Sequence, residues 1–159
     1  MGVNTKGIIR KGVTLEELVA HAEKEFLDVK VRTTHDDDFF YIEFSLPKVE
    51  GEKQEQRSMA LFLDHTMSKR DYGIEGVLLD VKKWGNSSKI ITHFVNEFGG
   101  FFLEDDCSGD DFQALNIHKL ELAKDYTEEY KLRLKVISKF GLSKANEIME
   151  LFDEYKNIK

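Results

Sequence analysis

The sequence predicts an α+β fold with a mainly antiparallel sheet, in the order α-β-β-β-β-α-β-(β)-α-α, with helices on one face and a C-terminal helical pair. Three observations carry this. A capped amphipathic segment stands near the start, apolar residues then recur with period two through four segments joined by short connections, and helical spacing returns over 118–159.

The elements follow in order. Residues 1–13 are polar with three glycines and read as a tail or a short first strand. Thr14-Leu15-Glu16-Glu17 is a capping box, and Leu15, Leu18, Val19, Ala22 and Phe26 follow at helical spacing, giving a helix over 14–27. Val29 and Val31 then alternate with Lys30 and Arg32, and His35-Asp36-Asp37-Asp38 reads as a turn. Phe40, Ile42, Phe44 and Leu46 share one face of the next strand, while Phe39, Tyr41, Glu43 and Ser45 share the other. Pro47 ends it, since proline cannot donate to a ladder.

A third strand runs over 58–64, with Met59, Leu61 and Leu63 alternating with Ala60 and Phe62. Lys69-Arg70-Asp71-Tyr72-Gly73 reads as a connection, and 74–84 as the fourth strand. Asn86, Ser87 and Ser88 offer N-caps for a helix with the stripe Ile90, Ile91, Phe94, Val95 and Phe98, ended by Gly99-Gly100. Phe101-Phe102-Leu103 is a short buried strand, 104–111 an acidic turn, and 112–115 another short strand. Ala123, Tyr126, Tyr130, Leu134 and Ile137 form a helical stripe; Gly141 breaks it, and Ser143 can cap a last helix with Ala145, Ile148, Met149, Phe152 and Tyr155. No linker or repeat interrupts the chain, so 159 residues read as one domain.

Composition narrows the function classes. Cys107 is the single cysteine, so no intramolecular disulfide forms and a reducing compartment is expected. No apolar run approaches the ~20 residues a bilayer needs, and the first residues lack the layout of a signal peptide. The net charge of −7 opposes general binding to nucleic acid or to an anionic membrane. A basic protein partner is the better electrostatic match.

The densest acidic stretch is Glu104-Asp105-Asp106-Cys107-Ser108-Gly109-Asp110-Asp111. Against a calcium loop it places Leu115 where a bidentate Glu is needed, so it reads as an exposed acidic turn or a protein-binding patch. His35-Asp36-Asp37-Asp38 lacks a second defined ligand group and reads as a turn. Cys107 sits among carboxylates that disfavour a thiolate, which counts against a Cys–His pair with His93 or His118. Lys131, Lys135 and Lys139, with Arg133 and Lys144, read as a solvated helix face. No nucleophile elbow, phosphate loop, dinucleotide fingerprint or zinc-protease motif is present, so no catalytic or metal-ligating residue is assigned and no cofactor is expected. Phe39, Tyr41 and Phe62 stand apart. By strand parity they face away from the first helices, which leaves either an aromatic face rimmed by acids or one covered by the C-terminal helices.

Met1-Gly2-Val3-Asn4-Thr5-Lys6-Gly7, and the stretch from Trp84-Gly85-Asn86-Ser87 through Phe98-Gly99-Gly100 to Asp105-Asp106-Cys107, resemble small accessory proteins of bacteriophages and prophages. The resemblance implies a protein that binds and redirects host machinery, including defence systems, in the cytoplasm of a bacterial cell. The expected function is therefore a non-enzymatic, acidic interaction protein. It would bind a host protein through Asp105, Asp106, Asp110, Asp111, Phe39 and Tyr41, without direct nucleic-acid or membrane contact. One version inhibits a defence nuclease by setting acidic surface in its basic groove. Two alternatives stand beside it: a metal-dependent hydrolase, if the turns at 36–38 and 104–111 converge, and a virion or assembly component.

Overall fold

The computed structural model describes residues 4–33, 39–82, 86–103, 113–122 and 126–157. The strands are β1 (Asn4–Arg10), β2 (Leu27–Thr33), β3 (Phe40–Ser45), β4 (Gln56–Phe62), β5 (Gly76–Lys82), β6 (Gly100–Leu103) and β7 (Gln113–Leu115). The helices are α1 (Leu15–Glu25), α2 (Thr66–Tyr72), α3 (Ser87–Phe98), α4 (Glu128–Phe140) and α5 (Leu142–Asn157), with a 3-10 segment at Ile117–Leu122. All strands join one antiparallel sheet in the order β2-β3-β4-β5-β1-β6-β7.

The α+β class and the antiparallel sheet agree with the sequence reading, and β2 to β5 form the expected meander. The Thr14 capping box forms as well: the Thr14 hydroxyl accepts from the Glu17 N–H at 3.2 Å, and the Glu17 carboxylate accepts from the Thr14 N–H at 2.8 Å. Of the two readings of the first residues, the first strand is the one observed, as β1, which lies inside the sheet between β5 and β6. Two local expectations change. Lys69 to Tyr72 are helical, as the second half of α2. That helix has no side-chain cap on its N-cap residue His65, and it buries only Ser68, so its periodic signal is thin. Ser143 lies inside α5, whose first bond is accepted by the Gly141 carbonyl.

Close packing around β1 selects glycine at two facing positions. A Cβ on Gly76 would stand 2.3 Å from the Ile9 carbonyl oxygen, and one on Gly100 would stand 2.0 Å from that of Ile8. Neither neighbour can yield, because both are backbone in paired strands.

Strand alternation sends the apolar residues to two separate cores. On the first face Ile9, Ile42, Phe44, Met59, Leu61, Leu79 and Val81 pack against Leu18, Ala22 and Phe26 of the α1 region and the α3 stripe Ile90, Ile91, Phe94, Val95 and Phe98. On the second face Ile8, Leu78, Phe101 and Leu103 pack against Leu134 and Ile137 of α4 and Ala145 of α5. Each fully buried Leu, Ile or Phe contributes roughly 1.5–3 kcal/mol of transfer free energy.

The C-terminal pair is also fastened by polar bonds. The Tyr126 hydroxyl accepts from the Lys11 N–H at 2.7 Å and donates to the Glu75 carbonyl at 2.6 Å. The Tyr130 hydroxyl accepts from the Glu75 N–H. Arg133 donates to the Gly73 carbonyl at 3.2 Å and to the Asn146 side chain at 2.7 Å. Burial pushes the Tyr126 phenol up to about 12 and raises that of Tyr130 as well, so both remain hydrogen-bonding hydroxyls at neutral pH.

Candidate functional site

The covering helices do not reach across the whole second face. Their contacts concentrate on β5, β1 and β6, and Phe62 of β4 is the border residue, partly buried against that core. Beyond it lies the face formed by β2, β3 and β4.

Register places the residues of this open region. Lys30 of β2 stands opposite Glu43, and Arg32 opposite Tyr41. Across the next seam Tyr41 stands opposite Ala60 and Glu43 opposite Ser58; Ala60 in turn faces Asp80 of β5. Residues directly opposite in an antiparallel pair share a face. The open face therefore carries Lys30, Arg32, Phe39, Tyr41, Glu43, Ser58, Ala60, Phe62 and Asp80. The small side chains Ser58 and Ala60 make a floor between taller neighbours.

That relief forms a trough of about 490 Å³ lined by Arg32, Phe39, Tyr41, Ala60, Phe62, Asp80 and Lys82, among others. A second hollow of about 340 Å³ adjoins it, lined by Asp28, Lys30, Glu43 and Ser45, and shares Gln56, Arg57 and Ser58 with the first. Phe39 stacks on Phe62 with ring centroids 4.8 Å apart and meets Tyr41 edge-on at 5.1 Å. All three rings are half-buried, so each keeps surface toward solvent. Aromatics in this state supply contact area while losing little side-chain entropy on binding.

Phe39 and Tyr41 are thus brought together, with Phe62, as strand parity predicts. Among the described residues the two hollows are lined by Lys30, Arg32, Arg57 and Lys82 and by Asp28, Glu43 and Asp80, while the acidic stretches expected at the rim lie outside the described residues. Arg32 bonds Glu43 at 2.9 Å with most of its side chain exposed, and Arg57 pairs with Glu55. The cations escape a reading of the sequence because the pairing of β2 with β3 is a non-local property. The alternation of Lys30 and Arg32 with Val29 and Val31 is the only sequence signal for them.

Asp105, Asp106, Asp110 and Asp111 lie outside the described residues, as do Cys107, Trp84 and His35-Asp36-Asp37-Asp38. Among the described residues no group of three or more His, Cys, Asp or Glu side chains is placed to hold a metal ion. Nor is any helix among them long and apolar enough to cross a membrane. The basic stretch of α4 is partly engaged: Lys131 pairs with Glu128 at 3.4 Å, and Arg133 is committed to Gly73 and Asn146.

One buried polar group stands apart from this face. His21 of α1 is 8% exposed, its ring meets Phe94 and Phe98 edge-on at 4.8 and 5.8 Å, and its Nε2 has no hydrogen-bond partner. Burial lowers its pKa, against the opposing pull of Glu97 and Glu25. Its surroundings are apolar, which makes it a core residue with a polar liability.

The chain matches no family model, no curated protein and no solved structure.

Proposed function

We propose that this is a non-enzymatic interaction protein that docks another protein on the open half of its sheet. In the reading its phage-like stretches imply, the partner is a bacterial host factor. One observation carries the proposal: Phe39, Tyr41 and Phe62 form a half-exposed aromatic surface over a small-residue floor, at the place where the covering helices stop. Aromatic side chains beside a hollow are the usual anchors of protein recognition. Inhibition of a host defence nuclease is the specific version in which Asp105, Asp106, Asp110 and Asp111 occupy a basic groove, and the net charge of −7 favours such a partner.

Affinity capture from bacterial lysate at low and high salt tests this, with partner stoichiometry read by mass spectrometry. The unmodified protein is expected to retain one stoichiometric partner, and the double variant Phe39→Ala/Tyr41→Ala to lose it while keeping its far-UV spectrum. Changing the four aspartates together to asparagine separates the nuclease version, since it weakens capture there and flattens the salt dependence. Capture that is indifferent to both sets of changes overturns the proposal.

A further inference from the structure

A hollow of about 250 Å³ lies against the first core, on the side of the sheet away from the aromatic trough. Three elements wall it: the end of α1, the first turns of α3 and the loop that follows β3. Phe26, Leu46, Pro47, Val49 and Ile90 make it apolar. Its charged and polar lining is Glu25, Asn86, Lys89 and His93.

These walls are held by the fold itself. Phe26 stacks on Phe44 with ring centroids 4.5 Å apart, and Ile90 is 1% exposed, so both are fixed by the first core. His93 meets the Phe26 ring edge-on at 6.2 Å. The loop is tied down through Glu55. Its carbonyl accepts from the Leu46 N–H at 2.8 Å, and its carboxylate accepts from the Asn86 amide at 3.0 Å and pairs with Arg57. Walls fixed in advance spare a ligand the cost of ordering them.

Two opposite charges line this hollow without meeting. Among the described residues no hydrogen bond or salt bridge engages the Glu25 carboxylate or the Lys89 ammonium, and the two stand beyond salt-bridge distance of each other. A ligand that carries both charges can bridge them. An aliphatic amine satisfies Glu25 alone, a fatty acid satisfies Lys89 alone, and an interior residue of a peptide satisfies neither. The volume falls below the ~300–1,000 Å³ of sites for drug-sized ligands, which suits a single residue.

We propose that this hollow binds a free α-amino acid with an apolar side chain. The side chain lies among Phe26, Leu46, Pro47 and Ile90, the α-ammonium pairs with Glu25, and the α-carboxylate pairs with Lys89. The site is separate from the docking surface proposed above and stands or falls without it.

The test is calorimetric titration of the full chain with L-leucine and L-phenylalanine, beside N-acetyl-leucine, which lacks the ammonium, and leucine amide, which lacks the carboxylate. At least one free amino acid is expected to bind, and each blocked form of leucine to bind about tenfold more weakly than leucine itself, the equivalent of about 1.4 kcal/mol. The variants separate the two charges. Glu25→Gln is expected to weaken leucine and leucine amide and to leave N-acetyl-leucine unchanged. Lys89→Gln is expected to weaken leucine and N-acetyl-leucine and to leave leucine amide unchanged. Glu25 is half-buried and Lys89 exposed, and far-UV spectra of both variants check the fold. No heat from either amino acid at about 10 mM, where a Kd of about 1 mM nearly fills the site, overturns the proposal. So does binding in which the blocked forms match leucine, or in which both variants match the parent.

Discussion

The second face of the sheet is two surfaces under different rules. Over β5, β1 and β6 it is closed by Leu134, Ile137 and Ala145 and pinned by the hydroxyls of Tyr126 and Tyr130 to the main chain at Glu75. Over β2, β3 and β4 it is open, with aromatic rings half out in solvent and small residues beneath them. The closed half spends its aromatics on internal bonds, and the open half holds them in reserve. Under the proposed function the difference separates stability from recognition: changes on one side should unfold the chain, and changes on the other should leave it folded and unable to dock.

The largest expected effect lies in the closed half. Leu134→Ala removes a residue 2% exposed and should cost about 2–5 kcal/mol in denaturant unfolding. Tyr126→Phe comes next: it strands the Lys11 N–H and the Glu75 carbonyl, and about 1–3 kcal/mol is expected from the same measurement. A loss no larger than that of an exposed-site change would show that the helices are held by apolar packing alone.

A smaller effect belongs to the first face and depends on pH. The folded pKa of His21 is lowered, so below about pH 6.5 the unfolded chain binds a proton that the folded chain refuses. Stability from this group is complete above that pH and falls as pH drops toward the lowered value, with a slope of at most about 1.4 kcal/mol per pH unit. His21→Leu should flatten that part of the profile in unfolding titrations between pH 7 and 5. A slope unchanged by the substitution would place its origin elsewhere.

The smallest stability effect is expected for Tyr41→Ala, within about 1 kcal/mol of the parent, because the ring is half-exposed and its register partners are Ala60 and the exposed Arg32. A large destabilisation there would break the division between the two halves.

Legibility in the sequence follows the range of the interaction. The alternation Phe39, Tyr41 against Phe40, Ile42, Phe44 is local, and the faces it implies are the faces observed. The Thr14–Glu17 cap is equally local. The place of β1 between β5 and β6 is not, since it depends on partners at Gly76–Lys82 and Gly100–Leu103. Nor is the charge pattern of the open face, where Lys30 and Arg32 meet Glu43 and Tyr41 across a bulged seam. α2 escaped because seven residues give too few turns for a period to register.

The interior position of β1 also bears on how the chain is made. Asn4–Arg10 is translated before either of the strands it joins, the nearer beginning at Gly76 and the farther at Gly100. At ~5–20 residues per second the ribosome needs on the order of ten seconds to deliver both. Throughout that interval Ile8 and Ile9, destined for opposite cores, travel on a strand without its partners. The meander of β2, β3 and β4 can close meanwhile, whereas the centre of the sheet must wait for β5 and β6.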